Sequence, residues 1–211
     1  MSNTPADQLV WIDCEMTGLD VEHDGLCEIA VIVTGFDLKP LHSGFEVVIN
    51  PGAETLARMG DFVRKMHETS GLLPRIEQGV DVNEAERQVL EYLKPLVTAG
   101  RKPIVAGNSI GMDRRFISKY MPALDAKMHY RSIDVSTIKE LARQWYPAAF
   151  FGAPKKRGGH RALADIAESI QELAYFRQAV LVQGPGPDKS ASEIIAGQVA
   201  QLYAPLIDGD A

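Results

Sequence analysis

Residues 9–16 read Leu9-Val10-Trp11-Ile12-Asp13-Cys14-Glu15-Met16, an apolar run interrupted by two carboxylates. A short apolar run of this kind predicts a buried β-strand. Residues two apart in a strand point to the same face, so Asp13 and Glu15 are expected to project to one side. Carboxylates held that close in a buried position repel one another unless a cation lies between them. The stretch therefore predicts the first strand of a sheet and part of a metal site.

Length and composition predict one globular domain, with room for a tail. The chain has 211 residues, of which 45% are hydrophobic, and this is enough to bury one core. Its net charge of −6 argues against a long basic surface that follows extended nucleic acid, so any nucleic-acid substrate is expected to be short. The absence of a membrane-length apolar run and of a leader-like start predicts a cytoplasmic protein with no membrane partner.

The order of the apolar segments predicts an α/β fold. Strand-like segments at 9–16, 28–36 and 45–50 are joined by short polar or Gly/Pro-containing links, which indicates an antiparallel meander. The expected elements that follow are a helix at 61–70, a helix at 83–98 capped by Asn83, a strand at 104–107, a helix at 112–121, a strand at 130–135, a helix capped by Ser136 and a final helix at 161–181. This order resembles the ribonuclease H-like arrangement, a mixed five-stranded sheet flanked by helices.

Composition changes after Val182. The run Gln183-Gly184-Pro185-Gly186-Pro187-Asp188 is typical of a linker, and the remainder is small and polar with one apolar cluster. We therefore expect the main domain to occupy residues 1–182 and residues 183–211 to form a linker and a mobile C-terminal tail.

Three further residues belong with the first carboxylate pair. Asp113 lies at the start of the helix after the fourth strand, and Asp165 lies early in the last helix. Oxygen ligands select hard divalent ions, so Mg²⁺ or Mn²⁺ is expected rather than Zn²⁺. Two such ions, about 3.5–4 Å apart, clamp the attacking and leaving oxygens of a phosphoryl displacement. His160, on a glycine-containing loop, suits a general base because the pKa of an imidazole lies near neutrality.

Taken singly, these residues have ordinary structural explanations. Asp113 could cap a helix, Asp165 could be a first-turn acid, and His160 could be one more loop histidine. None of these explanations accounts for Asp-x-Glu inside an apolar strand. Together the five residues predict a metal-dependent phosphodiesterase site.

Longer strings around these residues resemble the oligoribonuclease family of the DEDDh exonuclease superfamily. The matching strings are Trp11-Ile12-Asp13-Cys14-Glu15-Met16-Thr17-Gly18-Leu19-Asp20, Gly107-Asn108-Ser109-Ile110-Gly111-Met112-Asp113-Arg114-Arg115-Phe116, the family-specific stretch from His129 to Ala142, and the span from His160 to Asp165. Asp-x-Glu alone would identify only the superfamily, whereas the longer strings point to the family. The resemblance covers roughly residues 8–182.

The resemblance implies a homodimeric 3′→5′ exoribonuclease that degrades very short oligoribonucleotides, especially dinucleotides, to nucleoside 5′-monophosphates. Asp13, Glu15, Asp113 and Asp165 are the implied ligands of two divalent cations, Mg²⁺ or Mn²⁺, and His160 is the implied general base. The implied substrate contacts are Ser109, Arg131, Ser136 and Thr137 at the 5′ phosphate, Leu19 and Phe62 at the bases, His67 at the 3′ nucleotide, and Tyr130 from the partner subunit. Phe62 departs from the family pattern, since many relatives carry tryptophan there.

Two other interpretations stay open at the level of sequence. A DEDDh exonuclease that acts on longer strands would use the same five residues but leave the path at the 5′ end open. A nucleic-acid-binding module without catalysis would keep the fold, although its carboxylates would then repel one another with no metal between them.

Overall fold

The computed structural model describes residues 5–155 and 161–208. Its five strands are β1 (Pro5–Met16), β2 (Leu26–Gly35), β3 (Phe45–Val48), β4 (Lys102–Gly107) and β5 (Ser132–Asp134). They form one sheet in the order β3-β2-β1-β4-β5. β2 runs antiparallel to both β1 and β3, whereas β4 runs parallel to β1 and β5 runs parallel to β4. The predicted meander and mixed five-stranded sheet are confirmed.

Helices flank this sheet. They are α1 (Ala53–Arg58), α2 (Asp61–Thr69), α3 (Leu73–Ile76), α4 (Val82–Leu93), α5 (Gly111–Tyr120), α6 (Pro122–Lys127), α7 (Val135–Trp145), α8 (Pro147–Phe151), α9 (Ala162–Ala179) and α10 (Lys189–Asp208). Among the residues that the structure describes, no helix is long and apolar enough to cross a membrane.

The alternation of β1 divides the core into two layers. Val10 and Ile12 pack on the face covered by α4 and α5, while Leu9 and Trp11 pack on the opposite face against α9. Because side chains alternate along a strand, Asp13 continues the face of Leu9 and Trp11. The carboxylates at the end of β1 therefore emerge on the side of the sheet where α9 lies.

Close packing at Gly107 shapes the end of β4. The pairing of β1 with β4 extends to Trp11 and Ala106. A Cβ atom at Gly107 would lie 3.0 Å from the carbonyl oxygen of Ile12 and 2.9 Å from Cδ1 of Ile110, so a larger residue would press on the backbone of β1 and shift the Ile110 side chain. This close passage brings the first turn of α5 next to the end of β1.

Two predicted helix caps are wrong by two residues. The side chain of Asp81, not Asn83, accepts hydrogen bonds from the first turn of α4, and the bonds come from the N–H groups of Asn83 and Glu84. Likewise Asp134, not Ser136, caps α7 by accepting from the N–H of Ser136. In both cases an aspartate two residues earlier supplies a carboxylate to the free N–H groups of the helix.

Other boundaries also differ from the sequence predictions. The helix expected at 83–98 ends at Leu93, because Pro95 lacks an N–H and its ring disfavours a continuing helix. The fifth strand is shorter than the expected 130–135, and β1 begins at Pro5 rather than at residue 9. The short helices α1, α3, α6 and α8 were not predicted. Residues 189–208, within the expected tail, form α10, and several of its apolar side chains are exposed.

Candidate active site

Three of the predicted ligands lie together at the end of β1. Asp13, Glu15 and Asp165 each offer a carboxylate oxygen, and these atoms all lie within 4.8 Å of one another. Asp13 and Glu15 come from the face of β1 that α9 covers, and Asp165 comes from the first turn of α9. The sequence prediction that these elements converge is therefore met by the fold.

Asp113 joins this group from the opposite layer of the fold. It lies in the first turn of α5, and its Oδ1 accepts a hydrogen bond from the N–H of Cys14 at 2.9 Å. Cys14 stands between Asp13 and Glu15, so this bond fixes the Asp113 carboxylate beside both of them. Asp113 is not part of the 4.8 Å group but borders it.

Burial and the charges of neighbouring carboxylates raise the pKa values of Glu15 and Asp113. Burial is the main cause for Glu15, followed by the charges of Asp165, Glu28 and Asp113, and the pKa of Glu15 is raised to about 8. Burial likewise raises the pKa of Asp113 to about 7, although the hydrogen bond from Cys14 opposes this shift. The protein alone therefore disfavours the ionised site, and a divalent cation would remove that penalty. A buried set made only of carboxylate oxygens fits a hard divalent ion.

His160 lies outside the described residues, but the chain that follows it is firmly held. The N–H of Ala162 donates to Glu28 Oε2 at 3.2 Å, and Arg161 Nη2 lies 3.0 Å from Glu46 Oε1. Arg161 Nη2 also lies 3.5 Å from Glu28 Oε1. These contacts tie the start of α9, and with it Asp165, to β2 and β3.

Two of the residues predicted at the 5′ phosphate meet between α5 and α7. Ser136 Oγ accepts from the N–H of Ser109 at 2.9 Å, and the two hydroxyl oxygens are 3.2 Å apart. Ser109 has a φ of +52°, which is uncommon for a residue with a side chain and indicates a position fixed by its surroundings. Thr137 follows in the first turn of α7. Arg131 is exposed, and its guanidinium lies 5.4 Å from the centre of the Tyr130 ring.

The residues predicted to contact bases and the 3′ nucleotide divide into exposed and buried groups. Leu19 and Phe62 are 65% and 83% exposed, as side chains that stack on a substrate base would be. Tyr130, predicted to act in the partner subunit, is 66% exposed. His67 is fully buried; its Nε2 lies 2.8 Å from the carbonyl oxygen of Met16, to which it donates, and its Nδ1 lies 3.8 Å from Glu15 Oε2.

Sequence reasoning missed a buried and a half-buried polar residue that support the site. Glu28 pairs with Glu15 in the β1–β2 register and holds the start of α9. Asn108 donates to Ser169 and Glu172 of α9 at 2.8 and 3.0 Å, and its Oδ1 accepts from Ser136 Oγ at 3.1 Å. Glu28 interrupts an apolar strand as Asp13 does, so the same signal was present in the sequence.

The fold and the converging carboxylates define an exonuclease of the ribonuclease H-like class, and comparison with known proteins agrees. The family model described as "Exonuclease" matches residues 10–173. Solved structures with the same fold include exonuclease I from Methylocaldum szegediense, with a TM-score of 0.63 and 20% identity over 82% of this chain and 41% of that chain. The zinc-bound complex of E. coli exonuclease I with single-stranded DNA has a TM-score of 0.67 and 12% identity, and the match covers 83% of this chain and 41% of that chain. The chain thus spans about two fifths of the length of those exonucleases.

Curated relatives are much more similar in sequence. Oligoribonuclease from Leifsonia xyli is 53% identical over 95% of this chain and 97% of the relative. Oligoribonuclease from Streptomyces coelicolor is 49% identical over 91% of this chain and 96% of the relative. The chain belongs to this exonuclease family, and within it to the oligoribonucleases.

The raised pKa values predict that metal binding and stability depend on pH in opposite directions. Without metal, Glu15 and Asp113 bind protons more strongly in the folded chain than at their usual values of 4.5 and 3.8. The stability that they contribute is present below about pH 4 and is lost as the pH rises to about 8. A cation requires the ionised carboxylates, so its stabilising effect should grow over the same range.

We therefore expect the increase in Tm on addition of Mg²⁺ to be larger at about pH 8.5 than at about pH 6. Thermal unfolding of the metal-free and Mg²⁺-loaded protein across this range measures the effect. In Glu15→Gln, the metal-free protein should lose less stability as the pH rises, and Mg²⁺ should raise its Tm by less than in the wild type. An increase in Tm that is independent of pH would contradict the assignment of these carboxylates.

Proposed function

We propose that this chain is a 3′→5′ exoribonuclease that degrades very short oligoribonucleotides, especially dinucleotides, to nucleoside 5′-monophosphates. The observation that carries this proposal is the group of Asp13, Glu15 and Asp165 at the end of β1 in a chain of the exonuclease family. The relatives named oligoribonuclease support the choice of short RNA as substrate.

Asp13, Glu15, Asp113 and Asp165 would hold two divalent cations, Mg²⁺ or Mn²⁺. Such ions, when bound, stabilise the attacking and leaving oxygens of an in-line phosphoryl displacement. The carboxylate-only composition of the group and the raised pKa values of Glu15 and Asp113 support this assignment. The 3′ oxygen of the preceding nucleotide would leave the phosphorus as water attacks, and the phosphate would stay on the 5′ oxygen of the terminal nucleotide, so a nucleoside 5′-monophosphate is released from the 3′ end.

His160 would act as the general base. It accepts a proton from the attacking water as the new P–O bond forms, a role that suits an imidazole near neutral pH. Its place in the sequence, two residues before the anchored start of α9 and five before Asp165, supports this role.

The pocket for the 5′ phosphate would consist of Ser109, Arg131, Ser136 and Thr137. The exposed guanidinium of Arg131 would supply the charge, and the Ser109 and Ser136 hydroxyls, 3.2 Å apart, would turn to donate to the phosphate, with Ser136 giving up its bond to Asn108. A longer RNA continues where the terminal phosphate of a dinucleotide would lie, so it would lose these hydrogen bonds. This pocket is the feature that would limit the enzyme to short substrates.

The remaining substrate contacts would come from both sides of a homodimer. Leu19 and Phe62 would wedge and stack the bases, with Phe62 in place of the more usual tryptophan, and their exposure supports this role. His67 would act at the 3′ nucleotide from beneath the site, where its Nδ1 lies 3.8 Å from Glu15 Oε2. Tyr130 would act in the site of the partner subunit.

We further propose a cytoplasmic location, an exonuclease domain at 1–182 and a separate tail at 183–211.

The alternative with the same five residues is an exonuclease for longer strands. A ladder of 5′-phosphorylated RNAs from two to twenty nucleotides, assayed with Mg²⁺ and with Mn²⁺, separates the two. The longest RNA would lose one or two charge-assisted hydrogen bonds that the 5′ phosphate of a dinucleotide makes. We therefore expect dinucleotides to be turned over about tenfold to a hundredfold faster than the longest RNA. Equal turnover of dinucleotides and twenty-nucleotide RNAs would contradict the proposal, and no hydrolysis of any RNA would favour a binding module.

A further inference from the structure

We infer that Arg114 is a positioning residue that holds residues 129–132 in the conformation that presents Arg131 to the 5′ phosphate. This inference rests on the proposed function, because it assigns the determinant of that phosphate pocket. Arg114 follows Asp113 in the first turn of α5, so one turn of helix carries both a metal-site carboxylate and this guanidinium.

The guanidinium of Arg114 has an acceptor in every residue of the segment 129–132. Its contacts are Nη2 to the carbonyl oxygen of His129 at 2.7 Å, and Nη1 to the carbonyl oxygens of Tyr130 at 3.1 Å and Arg131 at 3.3 Å and to Ser132 Oγ at 3.0 Å. On its other side, Nε lies 3.3 Å from Asp125 Oδ1 in α6. Arg114 thus joins α5, α6 and the start of β5.

The segment 129–131 lies outside regular secondary structure, since β5 begins at Ser132. Its carbonyl groups turn inward to Arg114, whereas the side chains of Tyr130 and Arg131 are exposed. Local contacts complete the arrangement: the N–H of Arg131 donates to His129 Nδ1 at 3.1 Å, and the His129 and Tyr130 rings are 4.4 Å apart. The shape of the backbone here therefore depends on the guanidinium, and the outward direction of Arg131 depends on that shape.

This arrangement requires the fork of an arginine rather than a positive charge alone. A guanidinium directs five N–H groups in a fixed plane, so it serves several carbonyls and the Asp125 carboxylate at the same time. A lysine has a single ammonium and reaches only part of this set. The side chain of Arg114 is largely buried, whereas its neighbour Arg115 is a matched control on the same turn, with Nη1 directed to Met112 Sδ.

The test compares two substrates, a 5′-phosphorylated dinucleotide and the same dinucleotide with a 5′ hydroxyl. In the wild type, the proposed pocket predicts a lower KM for the phosphorylated substrate. In Arg114→Ala, we expect the KM for the phosphorylated dinucleotide to rise by about tenfold, with kcat within about twofold, because a contact made equally in the bound substrate and the transition state is lost. The KM for the hydroxyl substrate and the gain in Tm with Mg²⁺ should stay unchanged.

Three further variants separate positioning from charge and from folding. Arg114→Lys keeps the charge and should not restore the KM, whereas Arg115→Ala should behave as the wild type. Ser132→Ala removes one acceptor of Arg114 without leaving a buried charge. It therefore tests the same contact if Arg114→Ala proves unstable. The expected increase in KM is about twofold to threefold, for the phosphorylated substrate only.

Equal losses for both substrates, a loss confined to kcat, or full restoration by lysine would overturn the inference. Failure of the proposed function gives a different pattern, because the wild type itself would then show no preference for the 5′ phosphate. That result would remove the pocket and, with it, the role of Arg114.

Discussion

Asp165→Asn is expected to abolish metal-dependent hydrolysis while the protein stays folded. The Asp165 carboxylate lies within 4.8 Å of those of Asp13 and Glu15, and asparagine keeps its shape while removing its charge. Loss of one anionic ligand removes much of the electrostatic stabilisation that divalent ions supply, which corresponds to a decrease in kcat of at least about 10³-fold. Asp13→Ala should have an equally large effect.

The stability of this variant should move in the opposite direction to its activity. After burial, the Asp165 charge is the largest cause of the raised pKa of Glu15, so its removal relieves repulsion in the metal-free site. The Tm of metal-free Asp165→Asn at about pH 8 should therefore equal or exceed that of the wild type, and Mg²⁺ should raise it little. A protein that is inactive only because it is unfolded would show a lower Tm.

Asp37→Asn provides the matched control, because its carboxylate is exposed and accepts a hydrogen bond from the N–H of Lys39, which asparagine also accepts. Dinucleotide hydrolysis and the Mg²⁺-dependent Tm of both variants are measured side by side. Activity of Asp165→Asn within tenfold of the control, with the full Mg²⁺ effect on Tm, would remove Asp165 from the set of ligands.

The sequence was sufficient to predict the strands and the grouping of Asp13, Glu15 and Asp165, because both follow from local patterns. Apolar alternation in 9–16 fixes which face each residue of β1 takes, and Asp13 and Glu15 stand out against it. The position of Asp165 in the first turn of α9 also follows from local helix periodicity. Helix ends were less predictable, since several polar residues compete for the same N–H groups, as Asp81 and Asn83 show.

The supporting contacts could not be predicted, because they join segments that are distant in the sequence. The bond from Cys14 N–H to Asp113 spans 99 residues, and that from Ala162 N–H to Glu28 spans 134. Nothing in the string Asp113-Arg114-Arg115 indicates which arginine turns inward. That choice depends on the carbonyl groups of 129–131, whose backbone leaves the strand pattern that the sequence suggested.

His160→Ala should slow the chemical step and leave metal binding unchanged. A positioned general base contributes about 10²-fold to 10⁴-fold to the rate, so kcat should fall by that factor. The four carboxylates are untouched, so the Tm gain with Mg²⁺ should match that of the wild type. His42→Ala is the control, since His42 is an exposed histidine beside Ser43, far in sequence from the carboxylates.

The pH profile distinguishes a base from a residue that only shapes the loop. An imidazole base must be unprotonated, so the wild-type kcat/KM should fall on the acid side near the pKa of a histidine. In His160→Ala, assayed with saturating Mg²⁺ so that the carboxylates stay ionised, that dependence should disappear, and added imidazole should restore part of the rate. Because Arg161 and Ala162 are held by Glu46 and Glu28, the substitution should leave the start of α9 and Asp165 in place. Normal turnover in His160→Ala would require a different base. A slower rate whose kcat/KM still falls on the acid side as in the wild type would require one too.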